Sequence, residues 1–302
     1  MRRYIDVVGE MKKRTFGMQN KAVAGVIEAL LMVALVSIVL SVIQLVYVPE
    51  IMEQREAEHM ELVSNQISAL KSMIDLQGMT QSSAPISSMI TLGSRDLPYF
   101  ITAKAWGEVD VKDHAAYKIK LNPALDPPYQ LGVPLTSIEY NADNSYFVDQ
   151  SYILEGGGLI VQQPDGVPVM RSDPSISAVE ELNTLNIHFD LPYIIAVPGK
   201  NITTGEGNCF IRTNFSNNHT YTNTIPMGGP PGGAYIRFYT AYLSAWNESL
   251  HNILGIYEVK NCISIYINSA ESCVEIIPVD KDIELELNVV EIYVQIGQGW
   301  IL

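Results

Sequence analysis

The sequence predicts an α+β protein in which a long N-terminal transmembrane and spine helix precedes a mostly antiparallel β-sandwich ectodomain with one short helix. Three observations predict this fold. An uninterrupted apolar run covers residues 23–48, and a charged amphipathic stretch follows it. From about residue 85, short runs of alternating apolar and polar residues are separated by Gly, Pro, Asn and Asp, which is typical of β-strands joined by turns.

The apolar run extends over 26 residues from Val23 to Val48 and contains no Lys or Arg, with Glu28 as its only acid. As a helix it would be about 39 Å long, enough to cross a bilayer core of about 30 Å. The 22 residues before it form a leader with six basic and two acidic residues. By the positive-inside rule, this asymmetry predicts a cytoplasmic N-terminus and an extracellular C-terminal domain.

The chain has a formal net charge of −14, and the part after residue 48 is more acidic still, with 13 Lys and Arg against 30 Asp and Glu. A surface of this sign repels nucleic acid and anionic lipid headgroups. We therefore expect no nucleic-acid partner, and we expect membrane lipid to be contacted through the N-terminal helix alone.

Residues 49–78 are predicted to form an amphipathic stalk helix. Pro49 lacks a backbone N–H, so it should kink the helix or begin a new one. Five apolar residues then recur at steps of three and four, on one helix face: Met60, Val63, Ile67, Leu70 and Ile74. This face either packs on the chain's own β domain or forms a short coiled coil, and the presence of only two heptads favours docking. Gly78 is the predicted C-cap.

Residues 79–302 are predicted to form the β-rich extracellular domain, which is long enough to bury a core of its own. The clearest alternation lies at 283–296. Its phase flips at Val289–Val290, which predicts a β-bulge there. One helix should interrupt the strands at 242–253, with Trp246 in the core rather than in a ligand site.

The three cysteines are Cys209, Cys262 and Cys273. An extracellular location permits a disulfide, and three single bridges are possible. Because a turn-like segment, 268–271, separates Cys262 from Cys273, this pair is the first candidate. No Cys-x-x-Cys pair occurs, so zinc and redox chemistry have no support.

Catalytic and metal-binding motifs are absent from the sequence. The five histidines are scattered, and no nucleophile, phosphate-binding or dinucleotide-binding motif occurs. The glycine-rich stretch 228–233 lacks the Lys and Ser or Thr that a phosphate site needs. The sequence therefore predicts no enzyme, no cofactor and no metal site.

Four N-glycosylation sequons begin at Asn201, Asn214, Asn218 and Asn247. The first three lie in a polar stretch, 201–224, that has the composition of a loop. One interpretation is a glycosylated surface loop, and the other is that Asn, Ser and Thr merely crowd in loops. Asn247 falls in the predicted helix and is the least convincing acceptor.

The junction Lys21-Ala22-Val23-Ala24, directly before the apolar run, resembles the class III signal peptide of archaeal type IV pilin-like proteins. The segments 85–100 and 152–161, with the helix around Trp246, are similar to membrane-anchored pilin-like proteins of methanogens and related euryarchaea. This resemblance implies that a prepilin-type peptidase cuts between Ala22 and Val23. Residues 1–22 are then a removed leader, and the transmembrane helix 23–48 becomes the N-terminus of a surface protein.

The resemblance also implies a role for Glu28 in helix assembly with other pilin-like subunits. Better-studied pilins carry a Glu at the fifth position after the cut, whereas Glu28 is at the sixth. It either pairs with the amine of Val23, in the same or an adjacent subunit, or lies hydrated near the cytoplasmic interface.

Two functions follow from these features. The first is a pilin-like cell-surface protein, a minor or solitary component of a type IV pilus-like assembly. The alternative is an uncleaved, signal-anchored envelope or adhesion protein whose β-sandwich ectodomain binds a partner and does not polymerise.

Overall fold

The structure is a computed structural model that describes residues 17–94, 105–122, 131–227 and 233–297, without the side chains of 17–22, 114 and 115. The chain divides into two compact units, Met1–Ile51 and Met52–Leu302. The first sixteen residues of the predicted leader and most of the 228–233 stretch lie outside the described residues.

The first unit consists, where described, of a helix that continues into the second unit. Helix α1 spans Gly17–Val42, a π-helical turn spans Ile43–Tyr47, and α2 spans Val48–Thr80. The 58-residue helical segment Val23–Thr80 contains a stretch that is long and apolar enough to cross a membrane. The predicted fold class, a long N-terminal helix followed by a mostly antiparallel β domain, is confirmed.

The π-helical turn explains how the helix passes Pro49 without ending. A proline removes one N–H, and its ring clashes with the carbonyl group four residues earlier. In the turn, the Val48 N–H bonds the Ile43 carbonyl oxygen five residues back. This wider turn directly before the proline ring absorbs the irregularity, so α2 follows on without a gap in the sequence.

After α2, the described residues of the second unit form fourteen strands and helix α3, Leu243–Val259. In chain order the strands are β1 Ile86–Thr91, β2 Trp106–Asn122, β3 Leu131–Asp143, β4 Ser151–Glu155, β5 Gly158–Gln162, β6 Val169–Ser172, β7 Ser175–Glu180, β8 Thr184–Ala196, β9 Ile202–Gly205, β10 Asn208–Ile225, β11 Tyr235–Tyr239, β12 Ile263–Asn268, β13 Cys273–Pro278 and β14 Asp282–Ile296.

These strands form two sheets. The first has the order β1-β10-β14-β8-β7, and the second has the order β12-β13-β11-β2-β3-β4-β5-β6, with β9 added beside β2. Every pairing is antiparallel except that of β8 with β14, which are parallel. The long β10 and β14 pair over fourteen positions, which makes them the centre of the first sheet.

The apolar face of α2 is buried in the β domain. Its five predicted residues, Met60, Val63, Ile67, Leu70 and Ile74, are at most 2 % exposed. They belong to one hydrophobic cluster, here called the α2 core, which also contains residues from both sheets. The face therefore docks on its own domain, as the short heptad run favours. Burial of each such side chain contributes about 1.5–3 kcal/mol before the entropy cost.

A second cluster, here called the α3 core, contains Trp246, Leu250 and Leu254 of α3 with residues of both sheets. Strand β14 serves both clusters: its residues up to Val289 face the α3 core, and those from Val290 onward face the α2 core. The phase flip thus marks the point where the strand exchanges one buried face for the other. The predicted bulge in β14 is wrong, because its register with β8 is unbroken. The irregularity lies on β10, between Phe215 and Asn217.

The end of α2 also differs from the prediction. The helix continues past Gly78 to Thr80, and Gln81 takes the left-handed conformation with φ of 50°. Gly78 instead permits close packing, since a Cβ there would lie 3.2 Å from Val290 Cγ1. Its small size therefore suits the close approach of helix and sheet, and it is not the cap.

Replacing Leu70 by Ala should lower the free energy of unfolding by about 2–5 kcal/mol, because Leu70 is 0 % exposed and the change leaves a cavity in the α2 core. The measurement is chemical denaturation of the full chain in detergent. Leu76→Ala is the matched control, since Leu76 on the same helix is 54 % exposed and its loss should cost no more than about 0.5 kcal/mol. Equal effects of the two changes would contradict the docking of this face.

Candidate functional site

The predicted processing junction lies within α1. Lys21, Ala22 and Val23 all fall between Gly17 and Val42, so the helix begins inside the predicted leader. Val23 is 56 % exposed, and Glu28 is also exposed, on a helix surface that it shares with Ala24. Except for the half-buried Ile43, the large apolar residues from 23 to 46 are exposed around the whole helix, as expected of a segment whose solvent is lipid. Cleavage at this junction and both roles of Glu28 stay predictions.

The predicted glycosylation loop is largely two strands. Residues 202–205 form β9, and residues 208–225 form β10. The sequence looked like a loop because it is rich in Asn, which is depleted in strands, but β10 obtains its hydrogen bonds by pairing with β14. Asn214 and Asn218 therefore lie on a strand, while Asn201 directly precedes β9.

The four sequons differ in how open their acceptors are. Asn201, Asn214, Asn218 and Asn247 are all half-buried. The amide oxygens of Asn214 and Asn247 are enclosed and have no hydrogen-bond partner among the described residues. The sequon of Asn247 is the most constrained, because its Ser249 is 0 % exposed and its hydroxyl donates to Asp173 at 2.6 Å. Asn201 and Asn218 are the acceptors that the fold restricts least.

The predicted Cys262–Cys273 disulfide is wrong, since all three cysteines are free thiols. Cys262 directly precedes β12, and Cys273 begins β13, where it pairs with Asn268. Six residues of strand therefore separate the two cysteines along the hairpin, about 20 Å at 3.3 Å per residue. A disulfide requires Cα atoms less than about 7 Å apart. A turn between two cysteines brings them together only when they occupy paired positions.

Polar groups on α2 also reach into the β domain. The Glu56 carboxylate, 0 % exposed, accepts the backbone N–H groups of Ser145, Tyr146 and Phe147 at 3.2, 2.7 and 2.7 Å. A carboxylate that satisfies three successive amides fixes the 144–147 turn against the helix. These bonds join α2 to the turn between β3 and β4.

His59 lies one helical turn further on and is also bonded inside the domain. Its Nε2 is 3.1 Å from the Tyr140 hydroxyl, which donates its single proton to the Leu92 carbonyl oxygen at 3.0 Å. The Nε2–H of His59 is therefore the donor to Tyr140. Burial lowers the pKa of His59, although hydrogen bonding to Leu92 and the charge of Glu56 oppose this shift. Burial thus favours the neutral form of His59 in this structural contact.

Two buried carboxyl groups, those of Glu139 and Glu155, lie beside the start of α3. Glu155, at the end of β4, is 1 % exposed, and its Oε1 accepts the Thr240 hydroxyl at 2.6 Å and the Trp246 indole N–H at 2.8 Å. Burial raises the pKa of Glu155 to about 7, and the charge of Glu139 adds to this shift. The two hydrogen bonds oppose it.

Glu139, on β3, is the partner carboxylate and is 5 % exposed. Its Oε1 accepts the hydroxyls of Ser137 and Tyr242 at 3.0 and 3.2 Å, and its Oε2 lies 2.5 Å from Lys112 Nζ. The cation compensates Glu139, whereas no cation among the described residues forms an ion pair with Glu155. Burial also raises the pKa of the Tyr242 hydroxyl, which keeps it a hydrogen-bond donor.

Neither this pair nor the other groups described form a site with recognisable catalytic or ligand chemistry. Within residues 17–94, 105–122, 131–227 and 233–297, no group of three or more His, Cys, Asp or Glu is arranged to hold a metal ion. A groove of 880 Å³ opens beside α2, where Leu62 and Gln66 meet Met89 and Thr91 of β1. Its lining mixes apolar residues with charges of both signs and selects no ligand class.

Comparison of the chain with protein-family models, curated proteins and solved structures gave no match. The resemblance to archaeal pilin-like proteins is therefore a hypothesis that rests on the residues quoted for it.

Sequence reasoning missed the Glu139–Glu155 pair. The segment Tyr152-Ile-Leu-Glu155-Gly-Gly was noticed only for its resemblance to other proteins. A usable signal was present, because Glu155 directly follows buried apolar strand residues and precedes a glycine turn, where a wholly exposed acid is not expected. Its partners, 85 and 91 residues further along the chain, could not be read from that signal.

Alkylation in denaturant without reductant should modify all three cysteines, because the fold holds them as separate thiols. In the native protein they should react slowly: each is at most 4 % exposed, and burial raises the pKa of Cys273 to about 11, although Arg237 opposes this shift. The measurement is the intact mass after labelling, with a prereduced sample as control. If only one cysteine is labelled in the unreduced sample and all three are labelled after reduction, the other two are joined in a disulfide and this prediction is wrong.

Proposed function

We propose that this protein is a pilin-like cell-surface protein, anchored by its N-terminal helix and processed between Ala22 and Val23. The observation that carries the proposal is a difference in burial between two parts of one helical segment. Residues 23–46 are mostly apolar and nearly all exposed, whereas α2 from Met52 onward is buried along one face in the β domain. The basic leader supplies the expected orientation, with the β domain outside the cell.

The α2 core makes the helix a necessary part of the β domain. An ordinary signal anchor is joined to its domain by a linker, and the domain folds without it. Here five core residues come from the helix itself, so the β domain requires α2 in order to bury its own sheets. Removal of the leader alone leaves this core intact and also keeps the apolar segment as the anchor.

The N-terminus of the protein isolated from the membranes of its own host tests this function. Mass spectrometry should find Val23 as the first residue, and Lys21→Glu should block processing, because it replaces the charge beside the cut. Lys13→Glu is the matched control, since it makes the same charge change away from the junction and should leave processing intact. A chain that begins at Met1 would reject the proposal in favour of the uncleaved anchor.

The alternative, a membrane-anchored binding ectodomain that does not polymerise, is favoured by one observation. Glu28 is at the sixth position after the proposed cut, one residue from the position at which the better-studied pilins carry their Glu. Electron microscopy with an antibody to the β domain separates the two. Labelling along filaments supports an assembly subunit, and labelling dispersed over the cell surface supports a solitary protein.

Glycosylation of the exposed domain is part of the same proposal, and the structure makes its test sharper. The native protein should exceed its sequence mass, and this excess should fall when Asn201 and Asn218 are changed to Gln. Asn247→Gln serves as the internal control and should leave the mass excess unchanged, because Ser249 of that sequon is buried and bonded to Asp173. A loss of the excess in Asn247→Gln alone, or no excess in the native protein, would contradict this assignment.

A further inference from the structure

The turn between β4 and β5 packs directly on the first turns of α3. Gly156 and Gly157 take φ of 57° and 81°, and a Cβ on Gly156 would lie 2.9 Å from Cζ2 of Trp246. The backbone of the turn therefore rests on the indole ring with no side chain between them. On its other side, Gly157 faces Pro192 of β8.

Glu155 is the polar connection across this contact. Its Oε1 accepts the Trp246 indole N–H, from the helix, and the Thr240 hydroxyl, from the segment that leads into it. Thr240 Oγ1 in turn accepts the Tyr242 backbone N–H at 3.1 Å, at the N-terminal end of α3. One side chain thus joins the β4–β5 turn to both the start and the second turn of the helix.

The charges around Glu155 determine whether its protonated or its ionised form is the more stable one in the core. Glu139 of β3 faces it as a carboxylate whose own charge is compensated by Lys112 of β2. Tyr242 faces the pair as a neutral hydroxyl. The other surfaces of the turn, Trp246 and Pro192, do not titrate. A second negative charge here would be desolvated and would repel Glu139, so the neutral form of Glu155 fits the packed state.

We propose that Glu155 is a proton-operated latch: its protonated carboxyl holds the β4–β5 turn on α3, and its ionisation releases that contact. The direction follows from linkage, because the folded protein binds this proton more tightly than the unfolded chain does. The latch is closed below a pH of about 7, to which burial raises the pKa, and it opens as the pH rises through that value. The latch does not depend on the proposed anchoring function, since it acts within the β domain.

Trp246 reports on the latch directly, because its indole N–H bonds the titrating group. The experiment uses the full chain in detergent with Trp106 and Trp300 changed to Phe, so that Trp246 is the only tryptophan. Its emission should titrate with one midpoint near pH 7. Glu155→Gln keeps the acceptor oxygen and removes the proton equilibrium, so its emission should stay constant from about pH 5 to about pH 9. Glu139→Gln removes the facing charge and should move the midpoint to lower pH.

Glu275→Gln is the matched control. Glu275 is also a buried carboxylate in the second sheet, 4 % exposed, but it is paired with Arg237 at 3.3 Å. This variant should retain the transition near pH 7. Hydrogen exchange, corrected for the intrinsic effect of pH, should show protection of the first two turns of α3 falling about tenfold or more between pH 5 and pH 9, with its last turn unchanged.

Three results would overturn the latch. One is a wild-type emission and protection that do not change across this pH range. Another is a transition that persists in Glu155→Gln, and the third is a transition that Glu275→Gln abolishes. The exchange measurement on the wild type decides the question even if the Glu155→Gln chain folds poorly.

Discussion

The buried face of α2 is the interaction on which the rest of this structure depends. Its apolar residues complete a core to which both sheets contribute, and the buried carboxylate of Glu56 satisfies three amides of the turn that follows β3. A helix held by both packing and charge-assisted hydrogen bonds is an integral element of the domain.

The second consequence is that the β domain contains two cores on opposite faces of shared strands. β14 buries Ile283 to Val289 against the α3 core and Val290 to Ile296 against the α2 core, and β8 changes sides in the same way. Along each of these strands, the buried face changes from one side of the sheet to the other. One sheet can therefore pack against two helices. This requires long, continuous strands, and β10 and β14 supply them.

The buried carboxyl pair shows how the α3 core tolerates polar groups. Glu139 is paired with Lys112 at the edge of the core, whereas the hydrogen bonds that Glu155 accepts from described residues come from the neutral Thr240 and Trp246. Two carboxyls in one cluster thus have different environments, and burial raises the pKa of Glu155 to about 7. Glu155 also shows that the most distinctive chemistry of this domain lies inside it, where the α3 helix meets the sheet.

The sequence by itself determined the elements whose signals are local. The length of the apolar run from Val23 predicts a helix, and the spacing of Met60 to Ile74 and the alternation over 283–296 follow from the periods of a helix and a strand. Each of these elements lies where its signal predicts it. Only the tertiary structure decided which face of β14 is buried at each point, that Cys262 and Cys273 are at opposite ends of a hairpin, and that the Asn-rich stretch is a strand. The physical reason is that pairing and burial join residues far apart in the chain, as Glu155 and Trp246 are, and no local period records such a contact.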